Sequence, residues 1–363
     1  MPPSEQPILF LWSLSPWASK ITAYLALRRI PYSRSEQPIT QPRPTLAALG
    51  LNYRRIPVLA LGRDIYCDTL LILEKLESLY PPSAAHPAIS GGGTNYTLER
   101  LLEKWTDTVV FGASAKVIPS SLELMQDPGF QKDREELWGR PWTAKAQDAL
   151  RPKGLADLRA NFAFLEELLG DGREWITGND GPMLADVHCK ASSVCSNVEK
   201  SLIYADATPW HQAAWILDWL QQIDAYDAKF FSAETHPKTF AWINRYSAAL
   251  ASAKESAPQP TELSGPDAVA RVLGAGFQED DKELTVEEDP EGFEAGDEVE
   301  MWPVDTGFDR KDGGKLVKLR VNEAVVAKRS LQEGKEVRVH YPRWNFAMKK
   351  AVPTDSEEKE EDK

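Results

Sequence analysis

The fold of the first part of the chain is decided by Ile8-Leu9-Phe10-Leu11-Trp12, which is followed after two residues by Ser15-Pro16-Trp17-Ala18-Ser19-Lys20-Ile21. The short apolar run predicts a strand buried on both faces, as in a sheet sandwiched by helices. Ser15 is a good helix N-cap, and Pro16 is well placed at the first helical position. The stretch therefore predicts a strand, a turn and a helix in immediate succession.

The residues up to 85 continue this alternation. A second strand is expected around 32–36. Arg55-Ile56-Pro57-Val58-Leu59 enters a strand directly from a proline, and Gly62-Arg63-Asp64 predicts a tight hairpin turn. Asp68-Thr69 then opens a helix whose leucines share one face until Pro81-Pro82 ends it.

Three of these motifs, taken in order, resemble the thioredoxin-like N-terminal domain of the glutathione transferase (GST) superfamily. The segment from Ser15 to Ile21 is similar to the serine-type signature at the start of the first helix. The segment from Arg55 to Leu59 is similar to the family's strand motif with a cis-proline, and Asp68-Thr69 takes the place of its Glu/Gln-Ser pair. The resemblance implies a serine-type, fungal GST-like protein with an extra C-terminal β-rich domain.

The resemblance also implies roles for single residues. Ser15 would be catalytic, and glutathione would be held by Ile56 before a cis Pro57 and by Asp68 and Thr69. The chemistry fits, because a thiol is mostly protonated at neutral pH and its thiolate needs a hydrogen-bond donor and positive potential. The Ser15 hydroxyl and the N-terminus of its helix supply both. Arg55 has the sign needed for the peptide's glycine carboxylate, as Asp68 has for its amine.

Each of these residues also has a purely structural interpretation. Ser15 and Asp68 are ordinary helix caps when taken singly, and Pro57 is an ordinary strand start. Ser13, two residues before Ser15, is a second candidate for the thiol contact, and Cys67 is a more distant one. The apolar strand around Cys67 favours a buried structural thiol there.

The middle of the chain predicts an all-α domain over residues 95–254, after a glycine-containing linker at 86–95. Asp186 resembles the buried aspartate at a family helix start, although Met183 stands where a capping hydroxyl is expected, and the resemblance extends to about residue 252. Asp127–Pro152 is expected to be an irregular insertion that forms part of a lid. In the family the acceptor lies between the first two domains, which implies four wall residues: Trp12, Trp17, Trp105 and Phe111.

The residue pattern changes in the C-terminal part of the chain. The prolines between 257 and 266 predict a linker, and alternating segments such as 317–321 and 337–341 predict strands. With turns expected at 312–314 and 333–335, a small antiparallel β-barrel or sandwich is predicted over 265–350, followed by a disordered acidic tail at 351–363. Its role is expected to be accessory, in packing, dimerisation or covering the site.

The composition and net charge narrow the classes of partner that the protein is expected to bind. The chain has 363 residues and a net charge of −13, which counts against nucleic acid or an anionic membrane as a partner. Three cysteines without a CxxC pair suit a reducing, cytoplasmic location, and the isolated histidines predict no metal site. The N-terminus shows no secretory or transit pattern. A homodimer is expected from the family alone.

The sequence thus predicts an α+β multidomain protein whose first domain, 1–85, binds glutathione. The leading functional hypothesis is conjugation of glutathione to a hydrophobic electrophile. The first alternative is a glutathione-dependent cis-trans isomerase of a conjugated double bond in specialised metabolism, in which the thiolate adds and leaves again. The second is a non-catalytic GST-like binding or scaffold protein, and the third makes the C-terminal β-rich domain the functional module.

Overall fold

The structure is a computed structural model of the chain, and it describes residues 5–191 and 229–351. The first domain alternates strands and helices in the order β1 (Ile8–Leu11), α1 (Pro16–Leu27), β2 (Ser33–Glu36), α2 (Pro44–Ala48), β3 (Val58–Leu61), β4 (Asp64–Cys67) and α3 (Thr69–Leu79). β1 pairs parallel with β2 and antiparallel with β3, which pairs antiparallel with β4. This is the predicted thioredoxin-like arrangement.

Local turn chemistry explains the helix starts. Ser15 caps α1 by accepting from the Ala18 amide at 3.4 Å, and Pro16 takes the first helical position, where no N–H is needed. Asp68 caps α3 by accepting from the Leu70 amide at 3.1 Å. These caps place both helix N-termini at the same end of the sheet as the loop before β3.

The helical domain begins with α4 (Thr94–Trp105), a π-helical turn (Thr106–Val110) and α5 (Phe111–Lys116), and continues with α6 (Pro128–Trp138), α7 (Ala144–Leu168), α8 (Leu184–Ala191) and α9 (Pro237–Ser256). The α8 start is organised by Asp186, whose carboxylate accepts from the Ile176 amide at 3.0 Å, the Met183 amide at 2.8 Å and the Trp242 indole at 2.7 Å. Asp186 is therefore tied into the fold of this domain despite the missing hydroxyl at Met183. Residues 192–228, with Cys195, lie outside the described part.

The predicted irregular insertion at 127–152 is wrong, because the segment contains α6 and the start of α7. Asp127 caps α6 by accepting from the Phe130 amide at 2.6 Å, and Pro128 follows at the first helical position. Gly139 ends α6 with φ of +61°, which glycine adopts without steric cost. Pro152 lies inside α7. The caps were present in the sequence, but the charges and prolines between them suggested a loop.

The predicted linker at 257–266 is also wrong. It contains β5 (Thr261–Glu262), which pairs parallel with β2, and it leads into α10 (Gly265–Gly274). Ser264 caps α10 by accepting from the Asp267 amide at 3.2 Å. A proline in the first helical turn starts a helix rather than interrupting one, and Pro266 is such a residue.

The C-terminal strands are β6 (Glu298–Pro303), β7 (Asp312–Leu319), β8 (Glu323–Arg329), β9 (Glu336–Pro342) and β10 (Phe346–Lys350). They pair antiparallel in the spatial order β10-β6-β7-β8-β9, which confirms the antiparallel strands expected there. However, β9 also pairs parallel with β4 at Asp64–Arg338, Ile65–Val339 and Tyr66–His340. The described strands thus form one open ten-stranded sheet, and the C-terminal strands do not close on themselves as a barrel.

The turn predicted at 312–314 lies within β7, whereas the one at 333–335 follows β8 as expected. Gly314 is glycine for reasons of space, because a Cβ atom there would lie 2.6 Å from the Ala327 carbonyl oxygen on β8. Asp312 accepts from the Asn52 amide at 2.7 Å and the Tyr53 amide at 2.9 Å. The apparent turn residues therefore allow close strand packing and anchor the first domain.

Two buried apolar clusters follow from this arrangement. One lies between the first domain and the helical domain and includes Leu9, Tyr24 and Trp242. The other lies on the opposite face of the first sheet, where Phe10 and Val58 pack with residues such as Val339 from the C-terminal strands. The C-terminal sheet thus covers a face that the first domain would otherwise expose to water.

In the part of the chain that the structure describes, no helix is both long and apolar enough to cross a bilayer. The acidic tail predicted to be disordered falls on residues 352–363, outside the described part, apart from Ala351.

Candidate functional site

The candidate site lies at the N-terminus of α1, and Ser15 is its first residue. Ser15 is buried, and its hydroxyl oxygen accepts from the Ala18 amide, which leaves the hydroxyl proton for another acceptor. The competing Ser13 is engaged differently: its backbone N–H and its hydroxyl both donate to the Glu36 carboxylate, the hydroxyl at 2.6 Å. Of the two serines, Ser15 is the one whose proton faces no such carboxylate.

The loop before β3 brings Arg55 and the Ile56–Pro57 peptide to the same end of the sheet. That peptide bond is cis, as the resemblance implied. The Arg55 guanidinium lies 3.5 Å from the Asp68 carboxylate. It also donates to the Thr306 carbonyl, at 2.7 Å from Nη2 and 3.0 Å from Nε, and to the Asp305 carboxylate. The C-terminal part of the chain thus reaches the candidate site, and covering the site was one of the accessory roles expected for it.

The start of α3 contributes Asp68 and Thr69. Asp68 has φ of +72° and ψ of 138°, a backbone conformation that an L-residue adopts only at a cost of roughly 1–3 kcal/mol. Strain of this kind concentrates at functional sites, where surrounding structure holds it in place. Thr69 is buried, and its hydroxyl accepts from the Lys20 ammonium group at 3.2 Å.

Lys20 is a residue of the candidate site that sequence reasoning missed. Its side chain is fully buried, and its ammonium group donates to Glu103 at 2.9 Å and to Asp107 at 3.0 Å. We call Lys20, Glu103 and Asp107 the helical-side cluster. The signal was available, because Lys20 is a charged residue on the apolar face of α1 and the two acids are four residues apart, hence neighbours on one helical face.

The two carboxylates of the helical-side cluster titrate very differently. Burial raises the pKa of Asp107 to about 7, since the neighbouring negative charge of Glu103 adds to burial and outweighs Lys20. Burial also acts to raise the pKa of Glu103, but Lys20 and Arg100 bring it down to about 2. The pair therefore places one proton-binding carboxylate near neutral pH beside Thr69 and Lys20.

His188 on α8 borders this cluster, with Nδ1 at 3.7 Å from the Glu103 carboxylate. Burial lowers the pKa of His188 to about 3, so the ring is neutral at ordinary pH. At ordinary pH, His188 therefore packs against this cluster without adding a charge to it.

The aromatic residues predicted to line an acceptor site separate into two groups. Trp17 and Phe111 lie together, with ring centroids 4.7 Å apart. Phe111 stacks on Trp138 at 5.8 Å, and Trp138 stacks on Trp142 at 5.7 Å. These four rings form a continuous row from α1 across α5 to α6 and its C-terminal loop.

The other two predicted wall residues lie elsewhere. Trp105 packs against Phe164, with ring centroids 5.1 Å apart. Trp12 packs on the apolar cluster beneath the C-terminal sheet. The structure thus brings Trp17 and Phe111 together and places Trp12 and Trp105 in separate surroundings.

A second charged cluster joins β4, α3 and the C-terminal strands. We call it the strand-side cluster; its members are Asp64, Lys75, Glu279, Lys318, Glu323 and His340. His340 bridges Glu323 at 2.8 Å and Asp64 at 3.0 Å through its two ring nitrogens. Burial acts to lower the pKa of His340, but these two hydrogen bonds raise it above its usual value.

Glu279, Glu323 and His340 place their ligand atoms within 4.8 Å of one another, a spacing that a metal ion requires. However, the Lys75 ammonium group lies 2.5 Å from the Glu279 carboxylate and 2.8 Å from that of Glu323. Lys318 contacts the same two carboxylates at 2.7 and 2.9 Å. Ammonium groups occupy the positions from which these carboxylates would bind a cation.

Comparisons with known proteins fit this geometry. Residues 9–84 match the family described as glutathione S-transferase, N-terminal domain. Residues 113–192 and 204–255 match a family described as a domain of unknown function (DUF7962). No curated protein sequence matches the chain significantly.

Among solved structures, a GST-like protein from Pseudomonas syringae has a TM-score of 0.65 at 23% identity, over 95% of this chain and 99% of that one. A Tau class glutathione S-transferase from mango, Mangifera indica, has a TM-score of 0.46 at 14% identity, over 69% of this chain and 94% of that one. A glutathione S-transferase from Methylobacillus flagellatus, described with glutathione bound, has a TM-score of 0.44 at 21% identity, over 70% and 100%. The first likeness shows that this chain shares its fold with that GST-like protein.

Proposed function

We propose that this chain binds glutathione in its first domain and activates the thiol for addition to a hydrophobic electrophile. The observation that carries the proposal is the buried Ser15 hydroxyl at the N-terminus of α1, in a segment that matches the GST N-terminal domain family. The charges and hydrogen-bonding groups of the other site residues are consistent with a thiol bound at Ser15.

The first step is thiolate formation. A free cysteine thiol has a pKa of roughly 8.5, so only a few per cent is ionised at neutral pH. The Ser15 hydroxyl donates to the sulfur, and the N-terminus of α1 places positive potential there. Both interactions are stronger for the anion than for the thiol, and they lower the thiol pKa.

The peptide is held by groups of matching sign. The γ-glutamyl amine meets the carboxylates of Asp68 and Asp107, and the Thr69 hydroxyl, polarised by Lys20, meets its carboxylate. Ile56 bonds to the cysteinyl backbone beside the cis peptide, and Arg55 faces the glycine carboxylate.

The acceptor lies against Trp17 and Phe111, at the near end of the aromatic row. The tilted rings of Trp17 and Phe111 offer apolar contact area without requiring hydrogen bonds from the ligand. Such a surface favours a hydrophobic molecule. Attack by the thiolate on an electrophilic carbon forms a carbon–sulfur bond, and the conjugate results when that carbon loses its leaving group, such as the halide ion of an aryl halide. If the same thiolate adds to a conjugated double bond and leaves after rotation, glutathione is regenerated and the reaction is an isomerisation.

We infer the setting from the same resemblance. The three units at 1–85, 95–254 and 265–350 would work together in a cytoplasmic homodimer, with glutathione as the cofactor and a hydrophobic small molecule as the substrate.

The test is replacement of Ser15 by alanine, with Ser13→Ala as a matched control. Calorimetric titration measures glutathione binding, thiolate absorbance against pH gives the thiol pKa, and turnover is followed with an aryl halide. Ser15→Ala should raise the bound thiol's pKa and reduce turnover about 100-fold, as loss of one donor to a developing anion does elsewhere. Ser13→Ala should change neither.

Two results would contradict the proposal. Absence of glutathione binding at millimolar concentration removes it entirely and leaves the binding or scaffold hypothesis. An unchanged thiol pKa in Ser15→Ala removes Ser15 from its assigned role. Consumption of glutathione distinguishes conjugation from isomerisation, which regenerates it.

A further inference from the structure

Residues 304–310, in the loop between β6 and β7, lie against the candidate glutathione site. We call this segment the 304–310 loop. Arg55 donates from two nitrogens to the Thr306 carbonyl, and Nη2 also donates to the Asp305 carboxylate. Arg55 is the residue assigned above to the glycine carboxylate of glutathione. The chain's own carboxylate therefore already bonds to the group that is meant to hold the ligand's carboxylate.

Contacts on its other side hold the 304–310 loop in place. The Gly307 amide donates to the Leu137 carbonyl at 2.6 Å, and the Asp309 carboxylate lies 3.7 Å from the buried Arg54 guanidinium. The Phe308 ring packs so closely on Gly139 that a Cβ atom at position 139 would lie 2.2 Å from it. The backbone two to four residues after Asp305 is thus held by α6 and Arg54, through contacts separate from the bond to Arg55.

The charges around Arg55 leave little capacity for a further anion. Its guanidinium lies between the Asp305 and Asp68 carboxylates, and a carbonyl oxygen fills part of its hydrogen-bonding fork. Both acidic side chains are partly exposed, 21% for Asp68 and 37% for Asp305, so a ligand approaching Arg55 meets them directly. An incoming carboxylate must displace Asp305 or accept a negative neighbour, and either lowers its affinity.

Building on the proposed function, we infer that Asp305 is a specificity-determining residue at the carboxylate end of the thiol site. It lowers affinity for a thiol peptide with a free terminal carboxylate and has no such effect on one whose terminus is neutral. The C-terminal sheet thereby contributes directly to the choice of thiol cosubstrate.

The experiment compares two ligands on the full-length chain: glutathione, and glutathione whose glycine carboxylate is an ethyl ester. Dissociation constants are measured by calorimetry for the unchanged protein, for Asp305→Asn and for Asp309→Asn. The last variant is a matched control, because it removes the same charge from the same loop but faces Arg54. Asp305→Ser is measured too, so that a folding defect of one variant does not decide the outcome.

Asp305→Asn and Asp305→Ser should bind glutathione about 10-fold more tightly than the unchanged chain, with little change for the ester. Asp309→Asn should leave the ratio of the two constants unchanged. If the Asp305 variants bind glutathione equally or more weakly, Asp305 only positions Arg55 and the inference is wrong. If none of the proteins binds either ligand, the proposed function itself fails.

Discussion

The helical-side and strand-side clusters lie on either side of the first domain, and they differ in how far their positive and negative charges balance. In the strand-side cluster, the carboxylates of Asp64, Glu279 and Glu323 meet two lysines and a histidine whose pKa is raised, so every charge is matched. In the helical-side cluster, Lys20 meets two carboxylates, and Arg100 is shared between Glu103 and Glu74. Negative charge is in excess there.

This difference separates a structural role from a chemical one. Matched charges hold β9 against β4, because each charged group is stabilised by an opposite partner. Excess negative charge leaves one group, Asp107, ready to bind or release a proton near neutral pH. The unbalanced cluster is the one beside the candidate glutathione site, where a bound amine cation would restore the balance.

The largest effect should come from removing Lys20. Lys20→Met leaves the buried carboxylate of Glu103 and the half-buried one of Asp107 without their shared cation. Loss of one partner from a buried pair costs roughly 3–5 kcal/mol. We expect a loss of about 3 kcal/mol in the free energy of unfolding by urea near pH 8, and less near pH 5, where Asp107 binds a proton.

Lys75→Met is the comparison in the strand-side cluster. Its loss should be smaller, about 1–2 kcal/mol, because Lys318 still contacts both carboxylates. If Lys20→Met and Lys75→Met lose equal amounts of unfolding free energy, the two clusters do not differ in charge balance as described.

A second prediction concerns His340. Its pKa is raised in the folded protein, so its stabilisation is fully present below its unfolded value of 6.5 and is lost as pH rises through the folded pKa. His340→Gln should therefore be less stable than the unchanged chain by about 2 kcal/mol near pH 6. The difference between the two unfolding free energies should shrink as the pH rises above 6.5 and through the folded pKa of His340.

His188→Gln provides the contrast, because burial keeps the pKa of His188 at about 3. Its stability difference from the unchanged chain should be constant above about pH 6.5. A constant difference for His340→Gln as well would mean that His340 is not the titrating group.

The smallest effect is expected from Asp107→Asn. The pKa of Asp107 is about 7 in the folded chain against 3.8 in the unfolded one, so stability falls as pH rises through about 7. The variant should lack this decline. One pH unit corresponds to about 1.4 kcal/mol, and because solvent reaches the partly exposed Asp107 and screens the effect, the difference from the unchanged chain should shift by about 1–2 kcal/mol between pH 5 and pH 8. In Asp157→Asn the decline should persist, since the pKa of Asp157 lies below 3.8.

The first domain was predictable because its signals are local. Ser15-Pro16 and Asp68 predict helix starts, because each cap bonds to an amide no more than three residues further along the chain. Where local signals are ambiguous, the prediction failed: Gly313-Gly314 suits a turn and also suits two strands in close contact, and only the packing of Gly314 against Ala327 decides between them.

The site was predictable only in part. Ser15 and Asp68 were identified from the motifs, but the partners that set their surroundings are distant in sequence. Glu103 lies 83 residues from Lys20, and Asp305 lies 250 residues from Arg55. No periodicity or spacing within one chain relates such residues, because their proximity depends on the docking of whole domains.

The pairing of β4 with β9 also bears on how the chain is made. Asp64 and His340 are 276 residues apart, so at ~5–20 residues per second the ribosome delivers the partner of β4 roughly 15–55 s after β4 itself. During that interval β4 is an edge strand with unpaired backbone groups, the usual starting point for aggregation. The carboxylate of Asp64, still without its histidine, places a charge on that edge and opposes pairing with a neighbouring nascent chain.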